Sequence, residues 1–377
     1  MIFSSPQPKR RRGRLLPLGL WATAGGSPAI FHYDIGPGLL AADGLRKLYP
    51  AGKRRLWQRA AAPSFLHAVD DVSFTIARGE TVGLVGGSGC GKSTIVRLIA
   101  RLIDASDSSI RFDGEEIGRV PARRFGRTPQ RAQIQMVFQD AADSLNPRFT
   151  AFRAIADPLL RLQRLSGTEL SARAEEVARL TGLPQELLTR FPHQLSGGQK
   201  ARVGIAGAIA VEPRLLILDE PTSALDVSVQ VVILRLLQDL KQQFDLSYLF
   251  VSHDLNVVRL LCNRILVMYL GHIVESGPAD RVFAAPAHPY TQALLSAVPK
   301  PRAAGVRSTP IGLPGEPRSP IDPAPNVCPL YGRCGRATEK CTTAMPALHK
   351  IATSRFAACH YPIADPAVEP QKLAAIA

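Results

Sequence analysis

Thr81-Val82-Gly83-Leu84-Val85-Gly86-Gly87-Ser88-Gly89-Cys90-Gly91-Lys92-Ser93-Thr94 is the stretch on which the fold turns. Its first five residues are mostly apolar or small and read as a buried strand. The eight residues from Gly86 to Ser93 fit the pattern G-x-x-x-x-G-K-[ST]. A strand before it and a helix after it, here expected from Ser93 to about Leu102, are the setting the pattern requires. Glycines let the backbone curl so that several N–H groups point inward at phosphate oxygens. The helix N-terminus adds the positive end of its dipole. Lys92 is expected to reach the β- and γ-phosphates of a nucleotide, and Ser93 to place a hydroxyl on Mg²⁺.

Outward from the loop, Val72, Phe74 and Ile76 alternate with polar or small residues, so residues 39–85 read as strands with a turn at Arg78-Gly79. Ser109 to Phe112 with Asp113-Gly114 reads as a further hairpin. Residues 150–195 change to helical spacing, with Ile155, Leu159 and Leu162, then Val177 and Leu180. Leu215 to Leu218 and Tyr248 to Val251 are short apolar strands of a buried sheet. The first of them ends in Asp219 and Glu220. Such a strand delivers Asp219 to a Mg²⁺ shell beside the loop, while Glu220 points elsewhere and can polarise an attacking water.

Leu195-Ser196-Gly197-Gly198-Gln199 is a second anion cradle. Ser196 is a good N-cap, and helical spacing follows through Val203, Ile205, Ala206 and Ile209 to a stop before Pro213. One phosphate loop does not need a second cradle for the same nucleotide. A head-to-tail dimer, in which this helix end caps the γ-phosphate held by the other copy's loop, uses both.

Composition sets the outer bounds. The chain has 377 residues and is 46% apolar, enough for one large domain or two ordinary ones with a sizeable core. Its apolar runs, such as Ile205 to Val211, fall well short of the ~18–20 residues that span a bilayer, so a membrane role is expected to come through a partner. Lys and Arg number 46 against 31 Asp and Glu, a net +15, with one cluster at Lys9, Arg10, Arg11, Arg12 and Arg14. Solvated arginine-rich surface accounts for this excess better than a nucleic-acid face does. Residues 1–38 read as a disordered extension and not as a signal peptide, because export would remove the protein from nucleotide. Eight prolines between Pro299 and Pro325 mark a linker. Beyond it come Cys328, Cys334, Cys341 and Cys359.

Together these motifs resemble the nucleotide-binding subunit of ABC transporters, over residues 40 to 300. The resemblance implies an ATPase of the α/β P-loop class with an antiparallel β subdomain, a helical subdomain over about 140–195 and an ATPase domain over 39–300. A Pro-rich, Cys-containing extension over 301–377 completes the chain. It implies that Tyr49 stacks on adenine and that Gly86, Gly87, Ser88, Gly89, Cys90, Gly91, Lys92, Ser93 and Thr94 hold the phosphates. It implies that Gln139 touches Mg²⁺ and the membrane partner, and that Ser196, Gly197, Gly198 and Gln199 are the signature. It implies that Asp226, in Ser223-Ala224-Leu225-Asp226, communicates across a dimer and that His253 is the switch near the γ-phosphate. Catalysis then falls to Glu220, His253, Lys92 and Gln139, and Mg²⁺ to Ser93, Gln139 and Asp219.

Gln139-Asp140 with Ser144-Leu145-Asn146-Pro147-Arg148, His288-Pro289-Tyr290-Thr291 and Leu313-Pro314-Gly315-Glu316 resemble the oligopeptide/dipeptide importer branch. The chain departs from that branch at Ala141, where Pro is usual, at Gly87, where Glu is usual, and at Gly207, where Arg is usual. The implied partners are two membrane-spanning permeases, a second ATPase subunit and, indirectly, an extracytoplasmic binding protein, with no nucleic acid. The implied place is the cytoplasmic face of the inner membrane. The rival reading is an ABC-type ATPase of DNA repair or the ribosome, but such proteins usually carry two ATPase units or a long coiled coil. The four late cysteines are spaced by five, six and seventeen residues, wider than the usual zinc pairs of about two to four. Four thiolates suit a [4Fe–4S] cluster, which some members of the branch carry; zinc and four reduced thiols are the alternatives. So short a segment is expected to need a bound metal for order.

Overall fold

The computed structural model describes residues 38–51, 64–139, 144–298 and 310–363. The expected N-terminal extension with its basic cluster, Asp140 and Ala141, the start of the Pro-rich stretch and the last residues of the chain lie outside them.

Two sheets carry the fold. The smaller has the order β2-β1-β4-β5, from β1 (Gly38–Ala51), β2 (Ser64–Ala77), β4 (Asp107–Phe112) and β5 (Glu115–Glu116), all antiparallel. On β2 the expected alternation holds, with Val72, Phe74 and Ile76 buried. The larger sheet has eight strands in the order β11-β12-β10-β9-β3-β8-β7-β6. Its parallel half is β6 (Ile134–Val137), β7 (Leu215–Asp219), β8 (Ser247–Val251), β3 (Thr81–Gly86) and β9 (Arg264–Tyr269). β3 lies between β8 and β9, so every residue of it is buried, which is why it reads as a continuous run and not as an alternation. Both faces of β7 are covered: Leu215 and Ile217 join the core beneath the small sheet, and Leu216 and Leu218 join the core beneath the helices.

Helix α1 (Lys92–Ile99) starts one residue earlier and ends sooner than expected, burying Ile95, Val96, Leu98 and Ile99. Within the expected helical stretch lie α2 (Ala151–Pro158) and α3 (Gly167–Leu180), and α4 (Gly197–Ile209), which follows it, packs against both. The Thr150 hydroxyl caps α2 by accepting the Arg153 N–H. Gly207 of α4 now has a reason. A Cβ there would lie 3.2 Å from the Ala154 carbonyl, so the missing side chain lets α4 and α2 pack closely. Helix α5 (Val227–Phe244) follows β7, and α6 (Leu255–Leu261) follows β8.

The described part of the chain's end carries strands and packing that the sequence reading did not include. Strand β10 (His272–Pro278) pairs antiparallel with β9, and the hairpin of β11 (His349–Ala352) and β12 (Arg355–Ala357) adds to β10. Within the Pro-rich stretch, Leu66 and Ile321 form a β-bridge. The His67 N–H donates to the Pro320 carbonyl at 2.9 Å, and Phe65 N–H to the Asp322 carboxylate at 2.8 Å. The prolines remove donors from this strap but leave its carbonyls free to pair with β2. Cys328, Leu330 and Cys341 belong to the same core as Val177, Ile205 and Leu216. The segment therefore packs on an existing core and does not stand on a core of its own.

Candidate nucleotide site

β3 delivers the loop, and two of its glycines are fixed by close approach. A Cβ on Gly86 would meet the Met268 carbonyl at 2.2 Å, and one on Gly91 (φ +111) the Ala68 carbonyl at 2.2 Å. The loop is thus pressed between β9 and β2. Gly91 caps α1 with no side-chain bond, and the Thr94 N–H turns back to its carbonyl at 3.0 Å, which leaves the N–H groups of Lys92 and Ser93 to an anion. Lys92 is buried; its Nζ donates to the carbonyls of Gly86 at 2.8 Å and Gly87 at 3.0 Å. Ser88 and Ser93 are exposed, and Thr94 is half-buried.

The catalytic candidates come from the C-terminal ends of neighbouring parallel strands, where ligands of such sheets bind. Asp219 ends β7, is buried, and its Oδ1 has no hydrogen-bond partner among the described residues. Burial, reinforced by the charge of Glu220, raises its pKa. A buried carboxylate oxygen left without a partner is costly, and a divalent cation satisfies it. Mg²⁺ therefore fits Asp219, with the Ser93 hydroxyl on α1, which packs against β7. Glu220 sits at φ +48, anchored by its N–H on the Val251 carbonyl at 2.9 Å. Its Oε2 lies 3.3 Å from Gln139 Nε2, the donor, and 3.1 Å from His253 Nδ1. Three residues read separately from the sequence, after β6, β7 and β8, thus meet at one carboxylate.

The signature is built as a reciprocal cap: Ser196 Oγ accepts the Gln199 N–H, and Gln199 Oε1 accepts the Ser196 N–H at 2.8 Å. Gly198 packs so closely that a Cβ would lie 2.6 Å from Val229 on α5. Among the described residues no hydrogen bond joins Ser196–Gln199 to Gly86–Thr94. Asp226 precedes α5, exposed and without a capping bond. Tyr49 is half-buried on β1, paired with Leu66, with the Lys47 ammonium 5.1 Å from its ring. Leu66 is two positions along β2 from Ala68, whose carbonyl a Cβ on Gly91 would meet.

The four late cysteines converge on a cavity of about 20 Å³, which they line with His360. That is room for one water. Burial pushes the Cys328 thiol up to about 11, and the other three cysteines push it the same way. Among the described residues no group of three or more His, Cys, Asp or Glu side chains is placed to hold a metal ion. The expected metal site at Cys328, Cys334, Cys341 and Cys359 is therefore not shown.

The comparisons agree with this geometry. The family model described as ABC transporter matches residues 69–223, and that described as oligopeptide/dipeptide transporter, C-terminal region, matches residues 274–341. A probable peptide ABC transporter ATP-binding protein, y4tS of Sinorhizobium fredii, is 43% identical over 343 residues, 90% of this chain and 95% of that protein. The chain belongs to the ABC transporter family, in its oligopeptide/dipeptide branch. The oligopeptide transport ATP-binding protein AppF of Bacillus subtilis is 42% identical over 84% of this chain and 95% of its own length. OppF of Haemophilus influenzae is 44% identical over 79% and 90%. Among solved structures, the ADP- and Pi-bound dimer of the ATP-binding cassette MJ0796 matches with a TM-score of 0.56 at 30% identity. It covers 64% of this chain and 98% of that one. The cassette cbiO1 of Clostridium perfringens matches at 0.55 and 29%, over 66% and 91%. This ABC subunit is an ATPase. No helix among its described residues is long and apolar enough to cross a membrane.

One contact of the ABC subunit escaped the sequence reading. Tyr290, quoted above only as a mark of the branch, accepts the Gly87 N–H on its hydroxyl at 2.7 Å. Burial pushes its phenol up to about 12. The partners are 203 residues apart in the chain, and no local pattern reports such a bond.

Proposed function

We propose that this chain is one of two ATPase subunits at the cytoplasmic face of the inner membrane that drive a permease pair importing oligopeptides or dipeptides. The observation that carries the reading is that both family regions, cassette and C-terminal, lie in one chain that runs along about 95% of a peptide-transporter relative. The meeting of Gln139, Glu220 and His253 supports the catalytic part.

In this reading Lys92 and the loop amides hold the phosphates, and Tyr49 stacks on adenine. Mg²⁺, when bound with ATP, neutralises charge on the β- and γ-oxygens; Asp219, Ser93 and Gln139 are the side chains that would hold it. Glu220 Oε2 orients and deprotonates the attacking water, held in place by Gln139 and His253. Ser196–Gln199 of the second subunit closes over the γ-phosphate, and Asp226 carries closure across the dimer. Gln139, exposed at the end of β6, faces the permease.

An iron–sulfur cluster at the four cysteines remains a separate proposal. The observation that supports it is that all four cysteines line one small cavity, four thiolates being the ligand count of such a cluster. Anaerobic protein with iron and broad visible absorbance would bear it out; colourless, iron-free protein would end it.

The test of transport is uptake of labelled di- and oligopeptides by cells carrying the wild-type or Lys92→Ala chain, with affinity purification from native membranes. Loss of uptake in the variant and recovery of two permeases are expected. Recovery of ribosomes or repair proteins without a permease would contradict the reading.

A further inference from the structure

We propose that Tyr290 is a positioning residue for the phosphate loop, and that through Tyr269 and Arg333 it ties the loop's grip on nucleotide to the cysteine-bearing C-terminal segment. The proposal rests on the assignment of Gly86–Thr94 as the nucleotide loop.

The Gly87 N–H and the Gly86 carbonyl belong to one planar peptide unit. Tyr290 Oη accepts from its N–H at 2.7 Å, while the Lys92 ammonium donates to its carbonyl at 2.8 Å. Tyr290 therefore sets the plane whose opposite end holds Lys92. Gly87 eases the approach, because a Cβ there would lie 3.2 Å from the phenol oxygen and press it back by a few tenths of an ångström.

Tyr290 is itself held from two sides. It sits in the first turn of α7 (Pro289–Ser296), whose cap is His288: the imidazole Nδ1 accepts the Tyr290 N–H at 3.1 Å. Glu275 on β10 accepts the Ala287 and His288 N–H groups at 2.9 and 2.8 Å, and pairs with Arg355 of β12 at 3.2 Å, all buried. On the other side the Tyr269 ring lies 4.5 Å from that of Tyr290. Arg333 donates to Tyr269 Oη at 3.2 Å and to the Pro314 carbonyl at 3.1 Å. Arg333 immediately precedes Cys334. These groups wall a cavity of about 370 Å³ beside Gly87 and Ser88, so the tyrosine pair has space to shift when Arg333 moves. A displacement at the cysteines thus reaches Lys92 through three side chains, Arg333, Tyr269 and Tyr290, and one peptide plane.

The experiment compares Tyr290→Phe, Arg333→Lys, Arg333→Ala and Lys92→Ala with wild type in the full chain, measuring ATP affinity, ATPase KM and kcat, and thermal stability. Tyr290→Phe removes one hydroxyl and keeps the ring. The loss of one hydrogen bond predicts about three- to tenfold weaker ATP binding and higher KM, with kcat within about twofold and Tm little changed. Arg333→Ala should shift KM in the same direction by less, Arg333→Lys should restore part of it, and Tyr290→Phe should add little on top of Lys92→Ala. Wild-type KM in Tyr290→Phe, alongside lost binding in Lys92→Ala, would overturn the inference alone. Equal KM in Arg333→Ala and wild type would overturn the link to the C-terminal segment. Unchanged ATP binding in Lys92→Ala would overturn the underlying assignment of the loop.

Discussion

Asp219 and Glu220 are neighbours in chain and opposites in surroundings. One is buried with an oxygen that nothing among the described residues satisfies; the other reaches out, at a positive φ, to a glutamine and a histidine. This division was legible in the sequence, because a strand ending in two carboxylates must turn them to different sides. Lys92 was legible for a similar reason: its loop pattern is contiguous. Tyr290 and His288 were not, since their partners lie far off in sequence. His288 offers a residue-scale prediction. Burial lowers its pKa from 6.5 to about 4, and its Nδ1 must stay unprotonated to cap α7. Between those values the unfolded chain takes a proton that the folded one refuses, so stability falls as pH drops from about 6.5 to about 4. Glu275, its pKa raised by burial, works in the opposite sense in both proteins, so the difference from a variant isolates His288. Urea unfolding of wild type and His288→Asn at pH 7.5 and 4.5 should show the wild type losing about 2–3 kcal/mol more on acidification. Parallel losses would place the acid sensitivity elsewhere.

At the scale of elements, glycine in helix α4 tests what sequence alone overstates. Propensity makes Gly204 and Gly207 equally unfavourable, each about 1 kcal/mol worse than Ala. The structure separates them. A Cβ on Gly204 meets nothing within 4 Å, whereas one on Gly207 presses on the α2 backbone and one on Gly198 runs into Val229. Gly204→Ala should therefore stabilise the protein by about 0.5–1 kcal/mol in chemical denaturation. Gly207→Ala should gain less or lose stability, and Gly198→Ala should cost about 1–3 kcal/mol and impair ATPase activity by moving the signature against α5. Equal effects of Gly204→Ala and Gly207→Ala would mean that α2 yields freely. Strand β3 and helix α1 were readable because their burial follows from local pattern. The hairpin of β11 and β12 went unread, since its place beside β10 depends on chain far away.

Across the whole molecule, proline count reports local stiffness and not what the carbonyls pair with, so the docking of residues 320–322 was not legible in it. Pro320 and Ile321 dock on β2, and the cysteine segment joins the core of the helical side. The C-terminal segment thereby touches both sheets and stands beside the loop, a design invisible to composition. The same scale holds the central claim, that one chain's loop and another's signature enclose ATP and that Glu220 ends the closed state. Ser196–Gln199 and the Gly86–Thr94 loop are each complete within the chain but unconnected by hydrogen bonds among the described residues. The most direct measurement is ATP hydrolysis together with ATP-dependent dimerisation, by light scattering, of wild type and Glu220→Gln. The account predicts that the variant binds ATP, gathers as a stable dimer and turns over at least about a hundredfold more slowly, because the phosphate cradle is intact and the water is no longer deprotonated. A Glu220→Gln protein that hydrolyses ATP at the wild-type rate, or stays monomeric with ATP bound, would contradict it.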